Sequence, residues 1–143
     1  MADATAEMPR PAPDELTSFF WDGCREHRLL IQRCNDCGTY IHWPRPVCRT
    51  CRSSNLAPTE VSGRGTLYSW TVAAQAFHPA FLSRLPYIVA TVALDEQADL
   101  RMVTNMVDCT EDDLSMDAPV QVTFREVAPD LVLPLFTLAG AAR

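Results

Sequence analysis

Four cysteines, Cys34, Cys37, Cys48 and Cys51, follow the pattern C-x2-C, ten residues, C-x2-C. Two cysteines three positions apart bring both sulfurs onto one metal from a tight knuckle, and two knuckles complete a tetrahedral thiolate set. Such a set has no open position, so its chemistry is structural rather than catalytic. Gly38, directly after the first pair, supplies the left-handed backbone freedom that a knuckle needs; Arg52 stands at the equivalent place after the second. Zinc is the expected occupant, and an iron centre is the alternative the spacing leaves open. Two disulfides are the other rival. They are disfavoured in a reducing compartment, and the acidic, Pro/Ala-rich start MADATAEMPRPAPDE does not read as an export signal.

The remaining reactive side chains form no local catalytic signature. The sequence contains no G-x-S-x-G, G-x-G-x-x-G, phosphate loop or H-E-x-x-H. His42 is read as a neighbour of the metal site or a surface residue, and Cys24 as packing. Cys109 stands among Asp108, Glu111, Asp112 and Asp113, where negative charge raises a thiol pKa and discourages nucleophilic use. The chain is therefore not expected to be catalytic alone.

Elements must position these groups. Residues 1–13 carry no periodic apolar pattern and are expected to be a disordered tail. Residues 14–28 read as an amphipathic helix capped by Asp14, with Leu16, Phe19, Phe20, Cys24 and His27 on one face. Residues 14–60 then form a unit of helix and zinc ribbon, where metal replaces a hydrophobic core. From residue 61 to 138 the texture is β, in five runs: GTLYSWTVAA, PYIVATVAL, LRMVTNMV, PVQVTFREV and LVLPLF. Leu67, Ser69 and Thr71 alternate with Tyr68, Trp70 and Val72. DEQAD reads as a hairpin turn, and CTEDDLSMDA as a loop holding one helical turn. The expected fold is mainly β: a helix, a four-cysteine ribbon and a five-stranded OB barrel, ending in a tail at 139–143.

Charge limits the partners. All twelve basic residues are Arg, against eighteen acids, for a net charge of −6. The stretch 20–66 carries seven Arg and four acids, whereas 67–143 carries four Arg and ten acids. An acidic barrel repels a phosphate backbone, so nucleic acid is not the expected partner; a zinc-ribbon/OB module for single-stranded nucleic acid remains the alternative reading. No apolar run approaches the roughly 18 residues of a membrane span, and a cytoplasmic location is expected. The loop AQAFHPAFLSRLPY, with Phe77, His78, Phe81 and Leu82, is unusually apolar and is read as a contact surface for a ligand or partner.

The segments FFWDGCREHRLLIQRC, CNDCGTYIHWPRPVCRTC, VSGRGTLYSWTV, VTFREV and LVLPLF together resemble one family. It comprises the OB-fold proteins with a rubredoxin-like zinc ribbon, catalogued as domain of unknown function thirty-five. The resemblance runs from about Phe19 to Phe136 and implies a structural zinc ion and a non-catalytic role beside a thiolase-superfamily enzyme. It also implies acyl-coenzyme A binding or channelling, in settings such as lipid and steroid side-chain degradation. There the domain also occurs fused to a MaoC-type hydratase, for which this chain has no room, so it would be the stand-alone form or an excised piece. On that reading Arg33, Arg45, Arg49 and Arg64 are the candidates to hold the coenzyme phosphates. Trp43 would stack on adenine, and Phe77, His78 and Phe81 would line an acyl passage.

Overall fold

The apolar pattern sorts the chain into two sheets with separate means of support. The computed structural model describes residues 6–140. A helix α1 (Ser18–Arg25) leads into β1 (Leu30–Cys34), β2 (Tyr40–Ile41) and β3 (Leu56–Glu60), an antiparallel sheet in the order β2-β1-β3. Five longer strands follow: β4 (Arg64–Ala73), β5 (Tyr87–Leu94), β6 (Arg101–Met106), β7 (Pro119–Ala128) and β8 (Leu131–Leu138). They close into a barrel in the order β4-β5-β6-β8-β7, with β6 and β8 parallel at the seam. The chain is thus mainly β, with one helix, a four-cysteine cluster and a closed five-stranded OB barrel.

Period-two patterning builds the barrel. In β5 every second residue, Ile88, Ala90, Val92 and Leu94, is buried, and in β6 Met102, Thr104 and Met106 face inward. With Leu67, Leu100, Val120 and Phe136 they form one core, which continues through Val61, Ile31 and Leu29 to Phe20 and Cys24 of α1. The ribbon has only a minor cluster of its own, Cys34, Ile41 and Cys48 with Leu56 against them. So small an apolar set cannot fold a sheet unaided, and metal must supply the difference.

Four local expectations are corrected. The helix is eight residues long rather than fifteen. Asp14 is not its cap, which is Thr17 without a side-chain bond; Asp14 Oδ1 instead accepts from the Leu16 and Thr17 N–H groups at 3.0 and 2.9 Å in the turn that enters the helix. His27 lies beyond the helix end in a left-handed conformation (φ 59°), exposed, with its ring stacked on Phe124 at 5.5 Å. In β4, a register shift between Leu67 and Ser69 places a bulge at Tyr68 and reverses the alternation. Leu67 is buried, but Trp70 and Val72, not Ser69 and Thr71, then pack on the core. The segment after β6 behaves as read, with a single 3-10 turn, Glu111–Asp113, boxed by Thr110 and Asp113.

Residues 1–5 and 141–143, from the two expected tails, lie outside the described residues. Residues 6–13 have no helix or strand, and Arg10 donates to the Pro129 carbonyl across the barrel surface at 2.7 Å.

Phe20 joins α1 to both halves. It is 1% exposed, and its ring meets Trp21 at 5.0 Å, Trp43 at 4.8 Å and His42 at 5.4 Å. Phe20→Ala is expected to cost about 3–5 kcal/mol, read as a lower denaturant midpoint at unchanged slope. A loss below about 1 kcal/mol would mean that the helix does not dock as described.

Candidate metal centre

The two knuckles are built alike. In the first, Gly38 N–H donates to the Cys34 carbonyl and Cys34 N–H to the Thr39 carbonyl, both at 2.9 Å. In the second, Arg52 N–H donates to the Cys48 carbonyl at 2.9 Å and Cys48 N–H to the Ser53 carbonyl at 2.8 Å. The residue after each pair is left-handed, Gly38 at φ 79° and Arg52 at φ 63°. The second knuckle therefore accepts in Arg52 a conformation that costs a side-chain residue about 1–2 kcal/mol.

All four sulfurs lie within 4.8 Å of one another, with Cys34 to Cys51 at 3.5 Å and Cys37 to Cys48 at 3.6 Å. Zinc–sulfur bonds of about 2.3 Å in a tetrahedron need sulfurs a little under 4 Å apart, so the set fits the ion. Backbone N–H groups of Cys51 and Thr50 pull the Cys48 thiol down to about 6, and the Thr39 hydroxyl and N–H lower that of Cys37. Both effects favour the thiolate that a metal needs, whereas Cys51 is pushed up to about 12, the Ser53 N–H being outweighed by its contacts with the Cys34, Cys37 and Cys48 thiols. Bound zinc would cross-link the knuckles, and its closed shell would leave no place for substrate.

The ribbon is held in place from its own side and from the barrel. Asp36 of the first knuckle accepts from the Ser53 hydroxyl of the second, and Asn35 pairs with Asn55 at 3.0 Å. Gln32, 7% exposed, binds the Arg45 backbone through both amide atoms, at 2.8 and 2.9 Å. The turn 95–99, read above only as a hairpin connection, is a clamp onto the ribbon. Gln97 accepts from Tyr40 N–H at 2.9 Å and donates to the Tyr40 carbonyl at 3.1 Å, and Asp99 pairs with Arg49 at 2.7 Å. Glu96 accepts from Ser62 N–H in the linker at 2.8 Å. Removing the Gln97 amide by Gln97→Ala is expected to cost roughly 1–3 kcal/mol. It should also free the ribbon to reorient while one zinc is retained, which amide exchange at Tyr40 and metal analysis would read.

The other predicted residues are dispersed. Arg33 donates to the Gly38 carbonyl at 3.2 Å and lies over the Tyr40 ring at 5.0 Å. Arg49 is paired with Asp99, and Arg64 faces Asp95 at 4.0 Å. Arg45 is exposed beside a cleft containing Phe19 and Leu56. Trp43 is 48% exposed and stacks on Trp21 at 6.0 Å, next to a groove floored by Met102 and Leu133. Burial pushes the His42 imidazole down to about 4; its ring packs on Phe20 and Trp43 and is outside the four-sulfur set.

The loop after β4 contains a 3-10 turn, Pro79–Arg84, capped by His78, whose Nδ1 accepts from Ala80 N–H at 3.1 Å. Phe77 is 90% exposed. Phe81 instead turns inward against Tyr87, centroids 5.6 Å apart, and lines a cleft of about 470 Å³. Arg84, Asn105, Asp108 and Arg125 also line it. They come from separate elements, so no local sequence pattern could have announced them.

A closed four-cysteine ribbon joined to a five-stranded OB barrel defines the class: a zinc-ribbon/OB-fold protein. Family models agree on both halves. Residues 21–57 match "ChsH2, rubredoxin-like zinc ribbon domain", and residues 58–125 match "ChsH2, C-terminal OB-fold domain". A DUF35 domain-containing scaffold protein of Methanocaldococcus jannaschii is 30% identical over 82% of this chain and 82% of its own length. The chain belongs to the DUF35 family of OB-fold proteins with a rubredoxin-like ribbon, and the four cysteines are its structural zinc site.

A probable enoyl-CoA hydratase alpha subunit of Thermomonospora curvata is 40% identical over 92% of this chain but only 40% of its own length. This chain thus spans about two fifths of that relative. A solved structure described as "Ltp2-ChsH2(DUF35) aldolase" contains a chain 39% identical, with a TM-score of 0.83, covering 91% of this chain and 99% of that one. No helix among the described residues is long and apolar enough to cross a membrane.

Proposed function

We propose that the chain is a non-catalytic scaffold subunit. It seats on a thiolase-superfamily enzyme, most simply an aldolase acting on acyl-CoA in steroid or lipid side-chain degradation, in the cytoplasm. The observation that carries this reading is the near-complete match, 99% of its length, to the DUF35 chain of the aldolase structure. A relative in Mycobacterium tuberculosis, 32% identical over 82% of this chain but only 36% of its own length, is a 3-oxo-4,17-pregnadiene-20-carboxyl-CoA hydratase alpha subunit. That relative supports a MaoC-type hydratase as second partner.

The surface supports the same reading. Trp43 and Val103 border one groove and Phe77 and Leu82 stand on one loop, exposed apolar side chains that offer contact area to a partner. Arg49 and Arg64, which a polyanion would need, face barrel carboxylates instead. Nucleic acid is accordingly outside the proposed partners. Within the complex the zinc is a staple, and acyl-CoA is bound or channelled by surfaces that the ribbon and barrel present.

Co-expression with a thiolase-like enzyme encoded nearby tests the proposal. The two are expected to elute together, the enzyme losing activity or solubility without this chain, and acyl-CoA should give heat on titration into the complex. Separate elution, with full enzyme activity in the absence of this chain, would overturn it.

A further inference from the structure

Five described residues other than glycine adopt the left-handed conformation: His27, Arg52, Asp108, Asp117 and Asp130. Asp and His enter that region more readily than other side-chain residues, and arginine has no such preference. Arg52 is therefore the exception by type. It follows the second cysteine pair, where the first pair has Gly38 at φ 79° and no side chain to strain. A residue held in a costly conformation that glycine would adopt freely points to a use for its side chain.

Nothing within the chain supplies that use. Carboxylates pair with Arg25, Arg28, Arg49, Arg64 and Arg125, but Arg52 and Arg45 have no ion-pair partner among the described residues. Both are exposed on the loop that builds the second knuckle. Acids outnumber arginines by eighteen to twelve, so these two guanidiniums are not bare for want of carboxylates. Val47, 49% exposed, stands on the same turn, because Arg52 N–H donates to the carbonyl of the next residue, Cys48, at 2.9 Å. Cys48 N–H in turn donates to the Ser53 carbonyl at 2.8 Å, so the backbone that carries these side chains is already fixed and contact costs little ordering.

Exposed arginine around an apolar side chain is the composition of a protein contact. A phosphate backbone would need many more cations, and it would meet Asp36, bonded to Ser53, and Asp99, paired with Arg49. We propose that the second knuckle is a docking tip, on which Arg52 and Arg45 pair with carboxylates of the partner enzyme around an apolar contact with Val47. The inference rests on the scaffold reading above and adds which part of the chain engages and by what chemistry. The competing role for Arg52 is internal: its charge would offset that of four thiolates around one zinc ion. The two roles differ in what Arg52→Gly does.

Stability, zinc release and affinity for the co-expressed thiolase-like enzyme, measured on the full, zinc-loaded chain, separate them. Arg52→Gly is expected to raise the denaturant midpoint, since glycine accepts φ 63° freely, and to leave zinc release to a chelator unchanged. Its affinity for the enzyme should nevertheless fall about tenfold near physiological salt, and the gap from wild type should narrow at high salt. Arg45→Gln should weaken binding in the same salt-dependent way, and Val47→Asp, repelled by the facing carboxylates, should weaken it further. Wild-type affinity in both Arg52→Gly and Arg45→Gln would overturn the proposal and leave the scaffold reading standing. Faster zinc release from Arg52→Gly would assign the side chain to the metal site and overturn it too. So would binding of coenzyme A to the isolated chain that Arg52→Gly abolishes, which would make the residue a contact for a small phosphorylated ligand. Failure of the wild type to bind the enzyme would instead sink the scaffold reading, and this inference with it.

Discussion

Cys34→Ser is expected to empty the ribbon of zinc and unfold residues 30–60 while the barrel stays largely intact. Cys34 is 1% exposed, and its sulfur lies 3.5 Å from that of Cys51. Serine cannot replace a thiolate ligand, and three sulfurs leave an open tetrahedron. Apparent zinc-binding free energies of about 10–16 kcal/mol in small ribbons are folding free energies, because no site pre-exists in the unfolded chain. The ribbon's own apolar cluster, Cys34, Ile41 and Cys48 with Leu56, is too small to compensate. Zinc per chain should fall from one to near zero. Amides of β1 and β3 should lose protection while those of β5 and β6 keep it. Partner binding should fall with the ribbon. Full zinc content in Cys34→Ser, or an unchanged ribbon without metal, would show that the sulfurs are not the staple. A chelator applied to the wild type should reproduce the mutant's exchange pattern.

Much of this was legible because the informative residues are close in sequence. Both knuckles are five-residue patterns, and Gly38 with Arg52 marks their shared left-handed position. The strands β5 and β6 carry an unbroken period of two, which a single barrel face imposes. The bulge at Tyr68 was not legible: the sequence around it alternates smoothly, and only pairing with β5 shows that one residue is extra. Helix length failed for a related reason. Apolar spacing from Leu16 to His27 suits a helix, but the chain must turn at His27 to start β1, and tertiary packing decides that. The clamp of Gln97 onto Tyr40 spans 57 residues and has no local signature, and the cleft lined by Phe81 and Arg84 is assembled from five separate segments.

The motif Ser62–Thr66 (S-G-R-G-T) carries the second large prediction. Gly65 sits where β4 is paired on both sides, to Leu94 of β5 and Val120 of β7. A Cβ there would lie 2.3 Å from the Ala93 carbonyl oxygen and 3.0 Å from its carbon. Those are backbone atoms, which cannot rotate aside as a side-chain end can, so strands β4 and β5 would have to part. The neighbouring bonds would be strained together: Asp95 N–H donates to the Arg64 carbonyl at 3.0 Å, and Glu96 binds the linker at Ser62. Gly65→Ala is therefore expected to cost about 3 kcal/mol or more, at the upper end for overpacking by a single methyl. Against a total stability of roughly 5–15 kcal/mol, this is enough to depopulate the native barrel on mild heating. The expected signature is the converse of Cys34→Ser: zinc remains at one per chain, because the four sulfurs are ribbon residues, while β4 and β5 amides lose protection. A cost under about 1 kcal/mol would show that the strands can separate freely at this point. If zinc were lost as well, the ribbon would depend on the barrel for its fold, and the two supports would be one. The motif's second glycine is on this account a spacing requirement between two strands, which places the turn 95–99 where it can hold the ribbon.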